Sequence, residues 1–110
     1  MPLTRRDFLV TSALAAIAGR YGDGFNTQAR HPRLAELIRV GREEHAGAGH
    51  DASRFAITVF AGLDGQWLRP DSTSRTSLAR LGVDRLILLV SPPFDPDQIR
   101  AAGGLLRERA

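Results

Sequence analysis

The sequence predicts an α/β protein in which an open parallel sheet carries helices on one face and follows an N-terminal helix. The main observation is Leu86–Val90, five consecutive aliphatic residues between turn-forming residues, which is typical of a strand in a parallel sheet. Gly82 before this run has the position of a helix-ending glycine, and Asp95 with Pro96 after it has the composition of a helix start. This order defines a βα unit, so we expect the strand to be buried on both faces between two parallel neighbours.

Two similar units precede this one along the chain. A short strand is predicted at Gly24–Asn26, and Pro32 is predicted to open a helix that ends at Ala48 and Gly49. The inner face of that helix has apolar or small residues at helical spacing: Leu34, Leu37, Ile38 and Gly41. Asp51 or Ser53 is predicted to start the next turn, and residues 55–60 form a second apolar strand.

The remaining segments complete a predicted order of strand and helix repeated three times. Residues 62–71 are predicted to form a loop that contains the only tryptophan, and Ser72 or Ser74 is predicted to cap a helix that ends near Leu81. The last helix contains Gly103 and Gly104, which weaken it by about 1 kcal/mol each relative to alanine. Three strands leave two open edges and one uncovered face, so a homodimer through those edges is a candidate assembly.

Residues 1–18 differ in composition from residues 19–110 and are treated as a separate segment. Arg5 and Arg6, a spacer, Phe8 and Leu9 are followed by an alanine-rich apolar run, which resembles a twin-arginine export signal. The alternative is an ordinary helix with one apolar face: Phe8, Leu9, Ala13, Ala16 and Ile17. The first interpretation implies an exported, non-enzymatic α/β protein.

Composition and motif content argue against several classes of function. All fifteen basic side chains are arginine and they are scattered among acidic residues, so the sequence does not predict a nucleic-acid-binding surface. The chain has no cysteine and no apolar run long enough for a stable membrane span. His45, His50 and Asp51 lie close in sequence, but the helix end between the two histidines is expected to place them on different faces, as solvated surface. We therefore expect no metal site.

Four segments in order resemble the luciferase-like monooxygenase family, in particular its deazaflavin-dependent oxidoreductases. They are Arg20–Asn26, the helix from Leu34 to His45 with the following Ala48–Asp51, the stretch from Leu81 to Arg85 with its strand, and Pro93–Gln98. The resemblance covers about 90 of the 110 residues. Phe25 stands where the family usually has tryptophan, and the loop from Leu63 to Ser74 is arranged differently.

The resemblance implies that the chain forms the last three βα units of a (β/α)8 TIM-type barrel, whose usual length is about 250 residues. It also implies hydride transfer between coenzyme F-420 or FMN and a small organic substrate, in the cytoplasm. Most family groups that hold the cofactor belong to the part of the barrel that these units lack. We therefore expect no activity from this part alone, and no catalytic residue is assigned.

Active sites of such barrels lie at the carboxyl ends of the strands. Asn26, Gly62, Leu63 and Ser91 are expected at such ends, and Asp23 and Gly24 form a turn beside Asn26 that could approach a cofactor. The candidate cofactor-binding residues are Asp23, Gly24, Asn26 and Ser91. The alternative for Asp23 and Gly24 is a tight turn that leads into a strand, and the alternative for Ser91 is a simple strand end.

Overall fold

A computed structural model describes the backbone of residues 5–107 and the side chains of residues 12–106. Within this range the order of strand and helix repeated three times is confirmed, a helix precedes it as predicted, and one further short helix lies within the predicted loop. The elements are α1 (Arg5–Tyr21), β1 (Gly24–Gln28), α2 (Leu34–Gly47), β2 (Ala56–Gly62), α3 (Gly65–Leu68), α4 (Thr73–Arg80), β3 (Arg85–Leu89) and α5 (Pro96–Arg107). A single 3₁₀ turn, Ala52–Arg54, precedes β2.

The three strands form one open parallel sheet in the order β1-β2-β3. Gly24 pairs with Ala56 and Thr58 pairs with Arg85, so strand order follows chain order. The predicted α/β class with a parallel sheet is confirmed. The middle strand is β2, whose Ile57 and Val59 have no exposed surface.

The prediction that Leu86–Val90 is a strand buried on both faces between two neighbours is wrong. Among the described strands β3 pairs only with β2, and its residues alternate between exposed and partly buried. Ile87 is 40% exposed and Leu89 is 51% exposed. The apolar run therefore marks side chains that are suited to burial, whereas its position at the sheet edge depends on which strands are available to pair with it.

Helices α2, α3 and α4 pack on one face of the sheet. The core contains residues from all three helices and from β2: Leu34, Ile38, Trp67, Leu78, Ile57 and Val59, with Ala29 and Phe55 at the strand ends. Side chains alternate along a strand, so the opposite face carries Asn26, Phe60, Ile87 and Leu89. We call this the open face, because the exposed fractions of Ile87 and Leu89 show that it is largely uncovered.

Helix α1 packs closely against α2 through two glycines. A Cβ placed on Gly19 would lie 2.2 Å from the carbonyl oxygen of Gly41. On its other side, a Cβ on Gly41 would lie 3.0 Å from the ring of Phe25 and 3.1 Å from the ring of Phe55. Helix α2 therefore occupies a narrow space between α1 and the sheet, and the small inner-face residue predicted at position 41 is required there.

Helix α1 continues to Tyr21, beyond the predicted segment of residues 1–18. Its buried residues include Ala15 and Gly19, whereas Ile17 is 55% exposed. The predicted apolar face that included Ile17 is therefore wrong for the described part of the helix. The side chains of Arg5, Arg6, Phe8 and Leu9, which carry the export motif, lie outside the described side chains.

Helix ends follow the predicted capping residues in most cases. Ser72 accepts a hydrogen bond from the backbone N–H of Arg75 at the start of α4, and Asp95 accepts one from Asp97 at the start of α5. Asp51 caps the 3₁₀ turn through Ser53. The start of α2 at Pro32 is wrong, because the helix begins at Leu34 after a turn in which Leu34 N–H donates to the carbonyl of His31.

Both predicted helix-ending glycines are confirmed, since Gly49 and Gly82 each have a φ of +82°. At Gly82 the following Val83 N–H donates to the carbonyl of Leu78, and at Gly49 the following His50 N–H donates to the carbonyl of His45. These bonds define Schellman motifs, in which the residue after the glycine folds back over the last turn of the helix. Each motif therefore brings together two side chains that are five positions apart.

Candidate functional site

A cleft of about 410 Å³ lies at the carboxyl ends of the strands. Its lining comes from the ends of β1, β2 and β3, from the segments that follow β1 and β2, and from α3: Gln28, Arg30, Phe60, Ala61, Gly62, Leu63, Asp64, Trp67 and Leu89. This size lies within the usual range of ligand pockets, about 300–1,000 Å³. Gly62 and Leu63, which the strand-end argument named, are among the lining residues.

One wall of the cleft is apolar. Phe60 and Leu89 belong to the open face of the sheet, and Trp67 is carried by α3. Asp64 fixes the start of α3 because its carboxylate accepts a hydrogen bond from the backbone N–H of Gln66, 3.0 Å away. The segment predicted as a loop thus contains a capped helix that buries Trp67, which is only 3% exposed.

The polar groups of the cleft are Gln28, Arg30 and Asp64. The guanidinium carbon of Arg30 lies 5.1 Å from the centre of the Trp67 ring, within the distance of a cation–π interaction. The hydrogen bonds from Gln66 lower the pKa of the Asp64 carboxyl, and the positive charges of Arg30 and Arg69 act in the same direction. Asp64 is therefore ionised at neutral pH, and the cleft carries one charge of each sign beside an aromatic surface.

The structure does not bring the sequence-predicted site residues together in this cleft. Asp23 and Gly24 lie at the amino end of β1, the opposite end of the sheet, because the strand starts at Gly24 and runs to Gln28. The carbonyl of Asp23 accepts a hydrogen bond from Ala56 N–H, and a Cβ on Gly24 would lie 2.2 Å from the Ala56 carbonyl oxygen. Both residues therefore serve close pairing of β1 with β2.

Asn26 lies in the middle of β1 instead of at its end. Its side-chain amide donates a hydrogen bond of 2.8 Å to Thr58 Oγ1 on the open face of β2. Ser91 follows the end of β3 by two residues and is exposed. Of the four predicted residues, Asn26 thus lies on the open face, and Ser91 lies beyond the carboxyl end of β3.

Gln28, Arg30, Asp64 and Trp67 are cleft residues that the sequence analysis did not select. The polar residues Thr27 and Gln28 gave no strand signal, so β1 was predicted two residues too short and its true carboxyl end was missed. Asp64 before Gly65 and Gln66 is a helix-capping pattern, and this signal could have placed Trp67 on a helix.

His45 and His50 were expected on different faces as solvated surface; this is wrong for His45 and for the separation of the two rings, whereas His50 is exposed. His45 is 2% exposed, and the centres of the two imidazole rings lie 4.9 Å apart. The Schellman motif at Gly49 explains the contact, because it folds His50 back over His45. The His45 ring also packs on Phe55, and His50 Nε2 lies 2.9 Å from the carbonyl oxygen of Arg20 in α1. The pair thus joins α1, α2 and the start of β2.

Among the described side chains, residues 12–106, no group of three or more histidine, aspartate or glutamate residues is arranged to hold a metal ion. No helix in residues 5–107 has the length and apolar character needed to cross a membrane. No protein-family model matches the chain, and no curated protein shows significant similarity to it.

Proposed function

We propose that this chain is part of a (β/α) barrel of the luciferase-like type, in which the carboxyl-edge cleft contributes one side of a flavin or deazaflavin site. The observation that carries this proposal is the open face of the sheet. Asn26, Phe60 and Leu89 lie on this face, which is turned away from α2 and α4 as the interior of a closed barrel is turned away from its helices, and the cleft lies at the carboxyl end of the same face.

Exposed apolar surface supports the idea that further strands complete the sheet. Ile87 and Leu89 stay about half exposed, although burial of apolar surface contributes roughly 25 cal/mol per Å². Strands β1 and β3 each pair with one strand among those described, so each has a free hydrogen-bonding edge. Additional βα units, or a second copy of the chain, would cover the exposed apolar side chains and pair with the free strand edges.

The bound FMN or coenzyme F-420 would supply hydride transfer to a small organic substrate. The residues of this chain would bind the cofactor and exclude water. Phe60, Trp67 and Leu89 offer an apolar wall for a flat ring system, and Arg30 offers a positive charge for an anionic group. Asn26 on the open face and Ser91 after β3 do not line the cleft and are kept only as candidate contacts of a cofactor that extends beyond it, whereas Asp23 and Gly24 are assigned to strand pairing.

The first test is titration of the purified chain with FMN and with coenzyme F-420, followed by the emission of Trp67, the only tryptophan. We expect weak, saturable quenching, because a flavin or deazaflavin in the cleft would lie close enough to the buried indole to accept its excitation energy, and no substrate turnover. Arg30→Ala should weaken this binding about tenfold through loss of a charged partner, whereas Arg54→Ala, an exposed arginine away from the cleft, should not. Absence of quenching by both cofactors at millimolar concentration would overturn the proposal.

The twin-arginine motif supports a second candidate, a small exported α/β protein. The motif residues Arg5, Arg6, Phe8 and Leu9 precede the alanine-rich apolar run of α1, which is the order of a charged and an apolar region in an export signal. The contact between Gly19 and Gly41 instead supports α1 as an integral part of the folded domain. Fractionation of cells that express the chain separates the two candidates, since export should depend on the arginine pair and be lost in the double variant Arg5→Lys, Arg6→Lys.

A further inference from the structure

Strand β3 lies at an edge of the sheet and has apolar side chains on both faces. Ile87 and Leu89 on the open face are 40% and 51% exposed. Leu86 and Leu88 pack against the core on the other face but are only half-buried. Natural sheet edges are usually protected by charged residues or proline, and an unprotected apolar edge pairs readily with another strand. The strand has no proline and only one charged residue, Arg85, so its edge is unprotected.

The opposite edge of the sheet, formed by β1, is less suited to pairing. The last three residues of β1 are polar: Asn26, Thr27 and Gln28. Helix α1 also contacts this strand. We therefore expect association with another strand at β3.

Hydrogen bonds near the strand ends show which neighbour each backbone group of β2 addresses. The carbonyl of Phe60 accepts a hydrogen bond from Ala29 N–H, on the β1 side. Leu63 N–H donates one to the carbonyl of Leu89, on the β3 side. Successive residues of a strand direct their backbone groups to opposite sides, so the odd-numbered residues of β2 address β3.

The same alternation identifies the free backbone groups of β3. The carbonyl of Leu89 addresses β2, so Ile87 and Arg85, two and four positions earlier, address β2 as well. The N–H and C=O groups of Leu86 and Leu88 therefore point away from β2. These four groups form the hydrogen-bonding edge that a further strand would bind.

We propose that β3 of a second copy of the chain binds this edge in the antiparallel direction, so that two three-stranded sheets join into one sheet of six strands. The two-fold axis passes between Ile87 and the same residue of the second copy. Leu86 of each copy then exchanges two hydrogen bonds with Leu88 of the other, which pairs all four free groups of each strand. The inference goes beyond the proposed cofactor site and does not rest on it.

Charge and helix packing favour a second copy in this register. Arg85 faces Leu89 of the second copy, and the two copies of Arg85 are about 14 Å apart along the strands. With a strand spacing of about 4.8 Å, the two copies of α4, each over β2 and β3, lie about 10 Å apart, a distance at which helices pack. The flank of α4 towards this edge carries the small, exposed Ala79. It borders a groove of about 210 Å³ in which Arg75 and Asp84 supply charges of opposite sign.

The first test uses the unmodified full chain. Sedimentation velocity from micromolar to millimolar concentration should show a reversible equilibrium of monomer and dimer. Backbone amide exchange, followed by NMR over the same range, locates the contact. Exchange of the Leu86 and Leu88 N–H groups should slow about tenfold as the dimer forms. The Ile87 N–H, which addresses β2, should be protected at every concentration.

Two variants at position 88 separate backbone pairing from side-chain packing. Leu88→Pro removes an N–H that has no partner within the sheet of one copy, and proline is tolerated at such edge positions. It should weaken association about tenfold or more. Leu88→Ala lacks the same side chain but keeps the N–H, so its association should change only a few fold. Circular dichroism checks that both variants are folded.

The chain has no cysteine, so single-cysteine variants report the register. Ile87→Cys should form a disulfide-linked dimer under mild oxidation, because facing residues that do not hydrogen-bond to each other have Cα atoms about 4.5 Å apart. Asn26→Cys, exposed on the same face of β1, should cross-link far more slowly. The proposal is overturned if the chain stays monomeric at millimolar concentration or if the two cysteine variants cross-link equally fast. It is also overturned if folded Leu88→Pro associates as tightly as Leu88→Ala.

Discussion

Asp84 and Ile57 exchange two hydrogen bonds at the amino end of the sheet. The carboxylate of Asp84 accepts one from the backbone N–H of Ile57 at 2.8 Å, and the backbone N–H of Asp84 donates one to the Ile57 carbonyl at 2.8 Å. Ile57 is completely buried, so its N–H has no access to water as an alternative partner. The aspartate therefore fixes the entry of β3 beside β2.

We expect Asp84→Ala to lower the free energy of unfolding by about 1–3 kcal/mol, because it leaves the buried N–H of Ile57 without an acceptor. Asp84→Asn retains a side-chain oxygen and should lose clearly less. Urea denaturation followed by circular dichroism measures both values. Equal losses for the two variants would show that the side-chain hydrogen bond does not determine the effect.

Gly82 and Gly49 offer a matched pair for testing the contact of Arg42. Both glycines have a φ of +82°, but a Cβ on Gly82 would lie 2.8 Å from the Arg42 guanidinium, whereas a Cβ on Gly49 would meet nothing within 4 Å. Arg42 also donates a hydrogen bond of 2.8 Å to the Gly82 carbonyl. We expect Gly49→Ala to cost about 1–2 kcal/mol from backbone strain alone, and Gly82→Ala to cost slightly more, because the flexible Arg42 side chain can move away only by giving up its hydrogen bond to the Gly82 carbonyl. Thermal or urea unfolding of the two variants gives the comparison, and a larger loss for Gly49→Ala would contradict it.

The contact between α1 and α2 should not tolerate a methyl group at position 19. Gly19→Ala would place a carbon 2.2 Å from the Gly41 carbonyl oxygen, so the helices must separate, at a cost of about 1–3 kcal/mol. The matched control is Gly47→Ala in α2, where a Cβ meets nothing within 4 Å and alanine is the better helix former. Urea unfolding should show a loss for the first variant and no loss for the second.

The pH dependence of stability should reflect His31. Burial lowers its pKa in the folded state below the ordinary value of 6.5, so its contribution is present above that value and is lost as the pH falls towards the folded-state pKa. We expect the urea midpoint to fall between neutral pH and about pH 5, and to fall less in His31→Asn. Parallel profiles for the two proteins would contradict this assignment.

Asp51 and Asp64 act at lower pH. Hydrogen bonds from Ser53 lower the pKa of Asp51, and hydrogen bonds from Gln66 lower that of Asp64. The stability that these two capping carboxylates contribute is therefore fully present above their ordinary pKa of 3.8. It is lost as the pH falls from that value through their lower folded-state pKa.

Sequence reasoning predicted the parts of the fold that depend on neighbouring residues. Ser72, Asp95, Gly49 and Gly82 were located correctly, because a cap is determined by the conformation and hydrogen bonds of one helical turn. The order of strands and helices followed from local apolar patterns in the same way.

The burial of β3 and the composition of the cleft could not be predicted in this manner. The edge position of β3 is a property of the whole sheet, and the length of β1 depends on pairing of Thr27 and Gln28 with β2. The contact between the His45 and His50 rings required knowledge of the three-dimensional path of the chain after Gly49. Each failure therefore concerns a partner distant in sequence or the geometry of a turn.

Because strand order follows chain order, further strands could be added at either edge of the sheet. Each strand contacts the next one through residues separated by about one βα unit, 32 positions between Asn26 and Thr58 and 27 between Ile57 and Asp84. The sheet is therefore modular, and a unit fused before β1 or after α5 could add a strand at an edge without rethreading the existing ones. Strand contacts between neighbouring units also keep the sequence separation of contacting residues, the contact order, low for a parallel sheet. We therefore expect β1 and β3 to add to β2 one after the other during folding.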